Sequence, residues 1–383
     1  MQGRKQMAVG VRIRGQYRKL FGKRLAHRAN AYAKRAIMTA MTLSWKNTLT
    51  VSAHFLHGML HFVRSHHGEK VAAQVLASAA IPQSLLDQPD ARLTRQQYVA
   101  LYRTVAATLD DEMLGLWSRP IRTGTLKYLM LSLLDAPTVL VALNRFVRFW
   151  NLLLDDYRLQ ISTKNKLVRL ALVERAPATP VTLLAHELMM KLAHGIASWL
   201  LGREISLHRV EFSFARPRHA DDYAFLYPGE VGFQAGMTSI YFAYQDCAEV
   251  FKREKHELWA FLKRAPEDWT FSALHRASIA ARTREYLEQH IAQPVTIQDL
   301  AQALHTSVRT LNRRFAEEGT HFQAVKDGLR RDIAVHRLTN SNTGVAALAF
   351  DLGFSDATGF CRAFKHWTGS SPSDYRKGTR QGE

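Results

Sequence analysis

The chain has 383 residues, 47% of them apolar, with 52 Lys or Arg against 33 Asp or Glu and a formal charge of +19. That length can carry two full cores, and that apolar share excludes a chain that stays unfolded. No apolar run reaches the roughly eighteen residues of a membrane helix, and the opening lacks the apolar centre of a secretory signal. Only Cys247 and Cys361 occur, so no disulfide framework staples the fold, and a reducing cytoplasm is the expected setting.

The charge is uneven. Eleven basic and no acidic residues fall in the first forty, so everything after Ala40 nets only +8. Global basicity is therefore a poor argument for a nucleic-acid partner. Residues 1–42 form a basic extension open to three readings: an arm that touches phosphates, a transit-type segment, or a translation start placed too far upstream with Met38 or Met41 as the true beginning. The last is preferred; the alternative is a tail without fixed structure.

Residues 43–251 read as one α+β domain. Helical periodicity runs from Leu56 to Ser78 and from Tyr98 to Leu109, and Pro137 can open a helix toward Leu154. Tyr157–Ser162 and Lys166–Glu174 alternate as two strands about a polar turn at Thr163–Asn165, predicting a hairpin. Val181–Leu201 is an apolar helix, Val210, Phe212 and Phe214 alternate as a strand, Ala220–Leu226 suits a short helix and Thr238–Phe242 another strand. His54, His57, His61, His66 and His67 crowd one region, but a metal site needs converging ligands that spacing alone does not supply, and no metal or cofactor is expected. His186-Glu187 opens like a zinc-protease helix, yet the second ligand position is Met190, so no catalytic residue is assigned. Trp150, Trp199, Phe225, Tyr227 and Tyr241 suit an apolar pocket and an ordinary core equally well. Residues 252–275, around Pro266, Glu267 and Asp268, read as a linker with helical ends.

From Thr296 to Arg376 one helical pattern is written twice. Ile297, Leu300, Ala301 and Leu304 fall at i, i+3, i+4, i+7, and Val345, Leu348, Ala349 and Leu352 repeat that spacing. Ser307 then caps a segment with Leu311, Arg313 and Phe315, and Asp356 caps one with Phe360, Arg362 and Phe364. These are two helix-turn-helix units. Phe322, Val325, Leu329 and Ile333 describe one long helix joining them. The second helix of such a unit enters a DNA groove, so its outer face carries the chemistry. In the first unit that face holds Arg309, Asn312 and Arg313, whose side chains suit two-bond readout of guanine and adenine. In the second it holds Thr358, Cys361 and Arg362, a smaller set beside a helix-weakening Gly359. The first unit is expected to carry more of the specificity.

The run GFSDATGFCRAFKHWTGSSPSDYR, Gly353 to Arg376, resembles the signature of AraC/XylS transcription regulators, as does HTSVRTLNRRFAEEGTHFQAVKDGLRRDIAVHRL before it. The resemblance implies an all-α DNA-binding domain over 276–378 with two helix-turn-helix units joined by a long helix. Its recognition helices would enter successive major-groove segments of double-stranded promoter DNA. By position it makes Arg309, Asn312, Arg313, Thr358, Cys361 and Arg362 base-facing and Arg314 and Lys365 phosphate-facing. More loosely, EFSFARPRHADDYAFLYPGEVGFQAG, Glu211 to Gly236, is similar to the effector domain of ornithine-utilisation-type regulators. That likeness implies a domain that senses a small-molecule effector and forms a homodimer, with RNA polymerase as a further partner. Two other readings stay open at this point, an architectural DNA-binding protein without a ligand and an enzyme fused to a DNA-binding domain. The second would need a clustered nucleophilic or zinc-held Cys in the first half, where Cys247 stands by itself.

Overall fold

The computed structural model describes residues 50–88, 90–175, 182–271, 279–318 and 320–380, without the side chains of 224, 225, 281 and 377–380. The basic extension expected over 1–42 lies outside the described residues, as does the side chain of Phe225.

The chain enters through a short ribbon. Strand β1 (Thr50–Ser52) pairs antiparallel with β2 (Arg92–Thr94), and helix α1 (His54–Ser78) runs between them with a break at Gly68, whose φ of 78° leaves the helical region. Helix α2 (Arg95–Leu109) starts at a capping box: Thr94 Oγ1 accepts from the Gln97 amide and Gln97 Oε1 accepts from the Thr94 amide. Helices α3 (Thr125–Leu133) and α4 (Val139–Leu153) follow. The first of these has no counterpart in the periodicity reading.

The predicted hairpin is present. Strands β3 (Tyr157–Lys164) and β4 (Leu167–Glu174) pair along their full length, from Tyr157 with Glu174 to Lys164 with Leu167. The turn is Asn165-Lys166, two residues with φ of 51° and 60°, and so lies later than the Thr163–Asn165 expected. A two-residue turn with both φ positive matches the right-handed twist of its strands. Helix α5 (Leu183–Leu201) comes next, then β5 (Leu207–Glu211), the one-turn α6 (Tyr223–Leu226), β6 (Glu230–Gly232), β7 (Ser239–Ala243) and α7 (Tyr244–Ala248). The sheet order is β3-β4-β7-β5-β6, antiparallel except between β5 and β6. Phe212 and Phe214, expected as strand, lie just past the end of β5 and stack on each other instead.

Helix α5 is buried on nearly all sides, as expected of a helix that is apolar all round. Its polar groups are satisfied internally. His186 Nδ1 sits 2.7 Å from Thr238 Oγ1, the Glu187 carboxylate lies 2.7 Å from His219 Nε2 and accepts from the Tyr223 hydroxyl, and Lys191 donates to the Leu226 carbonyl at 2.7 Å. The His186-Glu187 pair is thus spent on packing the helix. Burial pulls the His186 imidazole down to about 4.

Of residues 252–275, expected to be a linker, the described 252–271 are folded against this half. Helix α8 (Lys255–Arg264) buries Leu258 and Phe261, and α9 (Glu267–Thr270) buries Trp269 against Tyr102. The approach is close: a Cβ on Gly195 of α5 would lie 2.3 Å from the Trp269 carbonyl oxygen. Only glycine permits it.

The remaining helices are α10 (Ile279–Gln289), α11 (Ile297–Ala303), α12 (Val308–Glu317), α13 (Phe322–Asn340), α14 (Val345–Asp351), α15 (Ala357–Thr368) and α16 (Pro372–Arg380). Leu300, Leu311, Phe315, Val325 and Leu329 close a first core with α10. Farther along α13, Ala334, Val335 and Leu338 join Leu348, Phe360, Phe364 and Tyr375 in a second core continuous with that of the N-terminal half. One helix therefore serves both bundles. All described residues fall within one unit, Asn47–Glu383.

A buried polar chain crosses between the halves. Asp332 of α13 accepts from Thr50 Oγ1 at 2.5 Å and from Arg284 Nη2 at 2.8 Å, with both the Arg284 and Asp332 side chains 1% exposed. Arg92 reaches Thr50 Oγ1 at 3.1 Å and pairs with Asp222 at 2.7 Å, and its carbonyl accepts from the Tyr375 hydroxyl at 2.6 Å. Removing one member of a buried pair strands the other charge without water, at a cost of about 3–5 kcal/mol. Asp332→Ala should lower the unfolding free energy by that amount in urea titrations, whereas breaking the exposed pair of Arg122 with Asp110 should change it little. A loss as small for Asp332 as for the exposed pair would mean that Arg284 rehydrates.

The folded state keeps His186 neutral down to about pH 4, while an unfolded chain protonates it near 6.5. Between those values the unfolded state binds the extra proton, so stability present above pH 6.5 falls, by up to roughly 3 kcal/mol, as the pH drops toward 4. The urea midpoint of His186→Gln should show a flatter acid limb over this range than the parent. An unchanged slope would assign the acid sensitivity to other groups.

Candidate nucleic-acid interface and ligand cavity

Helix α12 begins where Ser307 accepts from the Thr310 amide at 3.1 Å. Leu311 and Phe315 form its keel, at 0% and 1% exposure. Three and four residues around the helix, that keel leaves Arg309, Asn312 and Arg313 exposed together, with Arg314 beside them. Arg313 pairs with Glu317 of its own helix at 2.9 Å. Both partners lie in water, so the pair is weak and readily exchanged for another acceptor.

Helix α15 is built the same way. Asp356 accepts from the Gly359 amide at 2.7 Å, a bond that also holds its carboxyl below the usual range. Phe360 and Phe364 are buried, Thr358, Arg362 and Lys365 are exposed, and Cys361 is half-buried against the core. A Cβ on Gly359 would meet nothing closer than the Asp356 carboxylate at 3.6 Å, so packing does not demand glycine there. Both helices rest on α13, the first through the core of Val325 and Leu329 and the second through that of Val335 and Leu338. All eight side chains assigned from the sequence thus sit on the two helices, seven of them exposed and Cys361 turned partly into the core.

The N-terminal half holds a cavity of about 580 Å³ between α2, α3, α8 and α9, backed by Trp150 of α4 and Leu192 of α5. Trp150 lines it, whereas Tyr227 is core and Trp199 packs under the Arg253 guanidinium. Sequence reasoning missed Trp259 and Trp269, which also line it. Their signal was two tryptophans in a stretch taken for a linker, where solvated chain has no use for them. A smaller cleft of about 310 Å³ lies at the junction of the halves, where Arg92 and His219 face Arg331 and Trp367. His54 stacks on His219 there with centroids 4.3 Å apart, and burial followed by the His219 charge lowers the His54 imidazole. The polar chain through Asp332 was also missed. Asp332 stands three residues from both Leu329 and Val335, on the apolar stripe of its helix, where an isolated acid signals a buried partner.

Comparison with known proteins agrees with this geometry. Residues 71–249 match the arabinose-binding N-terminal domain of AraC transcription regulators, and residues 300–378 match a helix-turn-helix domain. The ornithine utilization regulator of Pseudomonas aeruginosa is 28% identical over 323 residues, covering 80% of this chain and 91% of the relative. The transcriptional activator NphR of a Rhodococcus species is 34% identical over 105 residues, 27% of this chain and 31% of that protein. Among solved structures, the regulator CdpR of Pseudomonas aeruginosa matches over 84% of this chain and 96% of its own at 21% identity, with a TM-score of 0.29. Two domain matches in the expected order, and a relative similar along most of its length, place an effector-binding fold ahead of a DNA-binding one. The chain belongs to the AraC family of transcription regulators.

Proposed function

We propose that residues 43–251, extended by the packed segment 252–271, form the effector-sensing part of this regulator and that residues 276–378 read promoter DNA. Arg309, Asn312 and Arg313 on α12 and Thr358, Cys361 and Arg362 on α15 contact bases, with Arg314 and Lys365 on flanking phosphates. The observation that carries this reading is the outer face of α12, where two guanidinium groups and one carboxamide stand in water over a keel at most 1% exposed. Arg grips guanine O6 and N7, and Asn grips adenine N6 and N7, each with two bonds. On α15 only Arg362 has comparable reach, so α12 carries the larger share of specificity.

Effector control requires a ligand that favours one arrangement of the DNA-binding helices over another. The junction through Asp332 supplies a contact that two arrangements would make differently. Association of two copies through the effector half and contact with RNA polymerase belong to the same reading, and exposed Leu152, Val250 and Phe350 are the side chains to test first. The setting is the cytoplasm, where promoter DNA is. The name of the Pseudomonas relative makes nutrient-utilisation genes the first class of target to probe.

Arg313→Ala should weaken binding to a footprinted site by about 1–3 kcal/mol and relax preference at one base pair, while random duplex is bound nearly as before. Fluorescence anisotropy on both duplexes at one salt concentration measures the difference. Equal weakening on both would make Arg313 a phosphate contact and overturn its role as a reader.

A further inference from the structure

We propose that the 580 Å³ cavity of the N-terminal half is the effector site, and that its occupant is a monoanionic organic acid with an apolar, ring-bearing body. This rests on the reading that the first half senses a small molecule, and adds where it binds and what it is.

The walls exclude polyols and cationic amino acids. The lining is mostly apolar, with Trp150, Trp259, Trp269, Met113, Ile121 and Leu262 in it. A sugar there would leave several hydroxyls without partners, each at a desolvation cost. Two of the charged groups in the lining are already engaged by the fold. Glu112 accepts from the Gly124 and Leu126 amides, each at 2.7 Å, and so is committed to the turn before α3. Arg103 donates to the carbonyls of Ala265 at 2.8 Å and Lys263 at 3.0 Å, strapping α2 to the turn between α8 and α9.

Two ammonium groups remain. Lys127 has its Nζ 5.4 Å from the centroid of the Trp259 ring, with no carboxylate in an ion pair with it among the described residues, and Lys263 stands exposed at the same rim. The lining is therefore net positive and takes an anion. The Trp150 indole N–H is buried without an acceptor among the described residues, which leaves a donor for an oxygen of the ligand. Tryptophan faces suit a ring.

The position also couples. Helix α9 forms one wall and has its Trp269 carbonyl pressed against Gly195, so a ligand that spreads α8 and α9 from α2 and α3 meets a backbone contact with no slack. Helix α9 is the last described element before the DNA-binding helices.

The test uses the full-length protein and 4-phenylbutyrate, with 4-phenylbutyramide, L-arabinose and L-ornithine alongside. Three of the seven tryptophans line the cavity, so binding is read by intrinsic fluorescence as well as by melting temperature. The acid should quench the fluorescence and raise the melting temperature. Lys127→Met with Lys263→Met should weaken the acid at least tenfold and leave the amide unchanged. Leu262→Trp, which adds an indole to the cavity wall, should weaken binding of both at least tenfold without lowering the melting temperature of the free protein. Undiminished acid binding in Leu262→Trp, or equal weakening of acid and amide in the lysine variant, overturns the site or the charge. Stabilisation by arabinose or ornithine with none by the acid keeps the effector reading and sinks this assignment. Silence from all four compounds and from a broad metabolite panel sinks the effector reading itself.

Discussion

The carboxylate of Asp332 joins the two halves of the molecule at a buried point. One of its oxygens accepts from Thr50 in the entry ribbon, the other from Arg284 in the first DNA-binding bundle. A carboxylate with 1% exposure is stable only while its partners, these two and Arg331 at 3.4 Å, stay in place, because water does not reach it to substitute for them. Thr50 in turn is held by Arg92, and Arg92 by Asp222. The chain of bonds therefore has few intermediate states: it is either assembled or broken.

That property suits a switch. Helix α13 carries Asp332 between the residues that close the first bundle and those that close the second, so any displacement of the helix relative to the ribbon is felt by both recognition helices. The first bundle has its own core, whereas the second shares one with the effector half. Strain arriving from α9 would meet a firmly attached α15 and a more separable α12, the helix with the richer reading face. Packed interiors convert such small displacements into discrete rearrangements because they resist continuous deformation.

The same division orders the chemistry. Polar groups at the DNA face are exposed and weakly paired, as Arg313 with Glu317, and can change partners at little cost. Polar groups at the junction and along α5 are buried and paired with one another, and cannot. Recognition needs the first kind and transmission the second.

The sequence by itself determined the double helix-turn-helix, because amphipathic spacing and caps such as Ser307 and Asp356 are local properties that each segment carries whatever surrounds it. It likewise determined which faces of α12 and α15 point outward, and the hairpin of β3 with β4, whose strands alternate and whose turn is short. Tertiary structure decided the rest. Whether 252–271 is free chain or a cavity wall depends on what Trp269 finds to pack against, and that is Gly195, some seventy residues earlier. Whether Asp332 is a surface acid or the tie between halves depends on Thr50, 282 residues away. Contacts of that separation leave no periodic trace in the chain, since burial of a charge or an aromatic ring is settled by its partners and not by its neighbours in sequence.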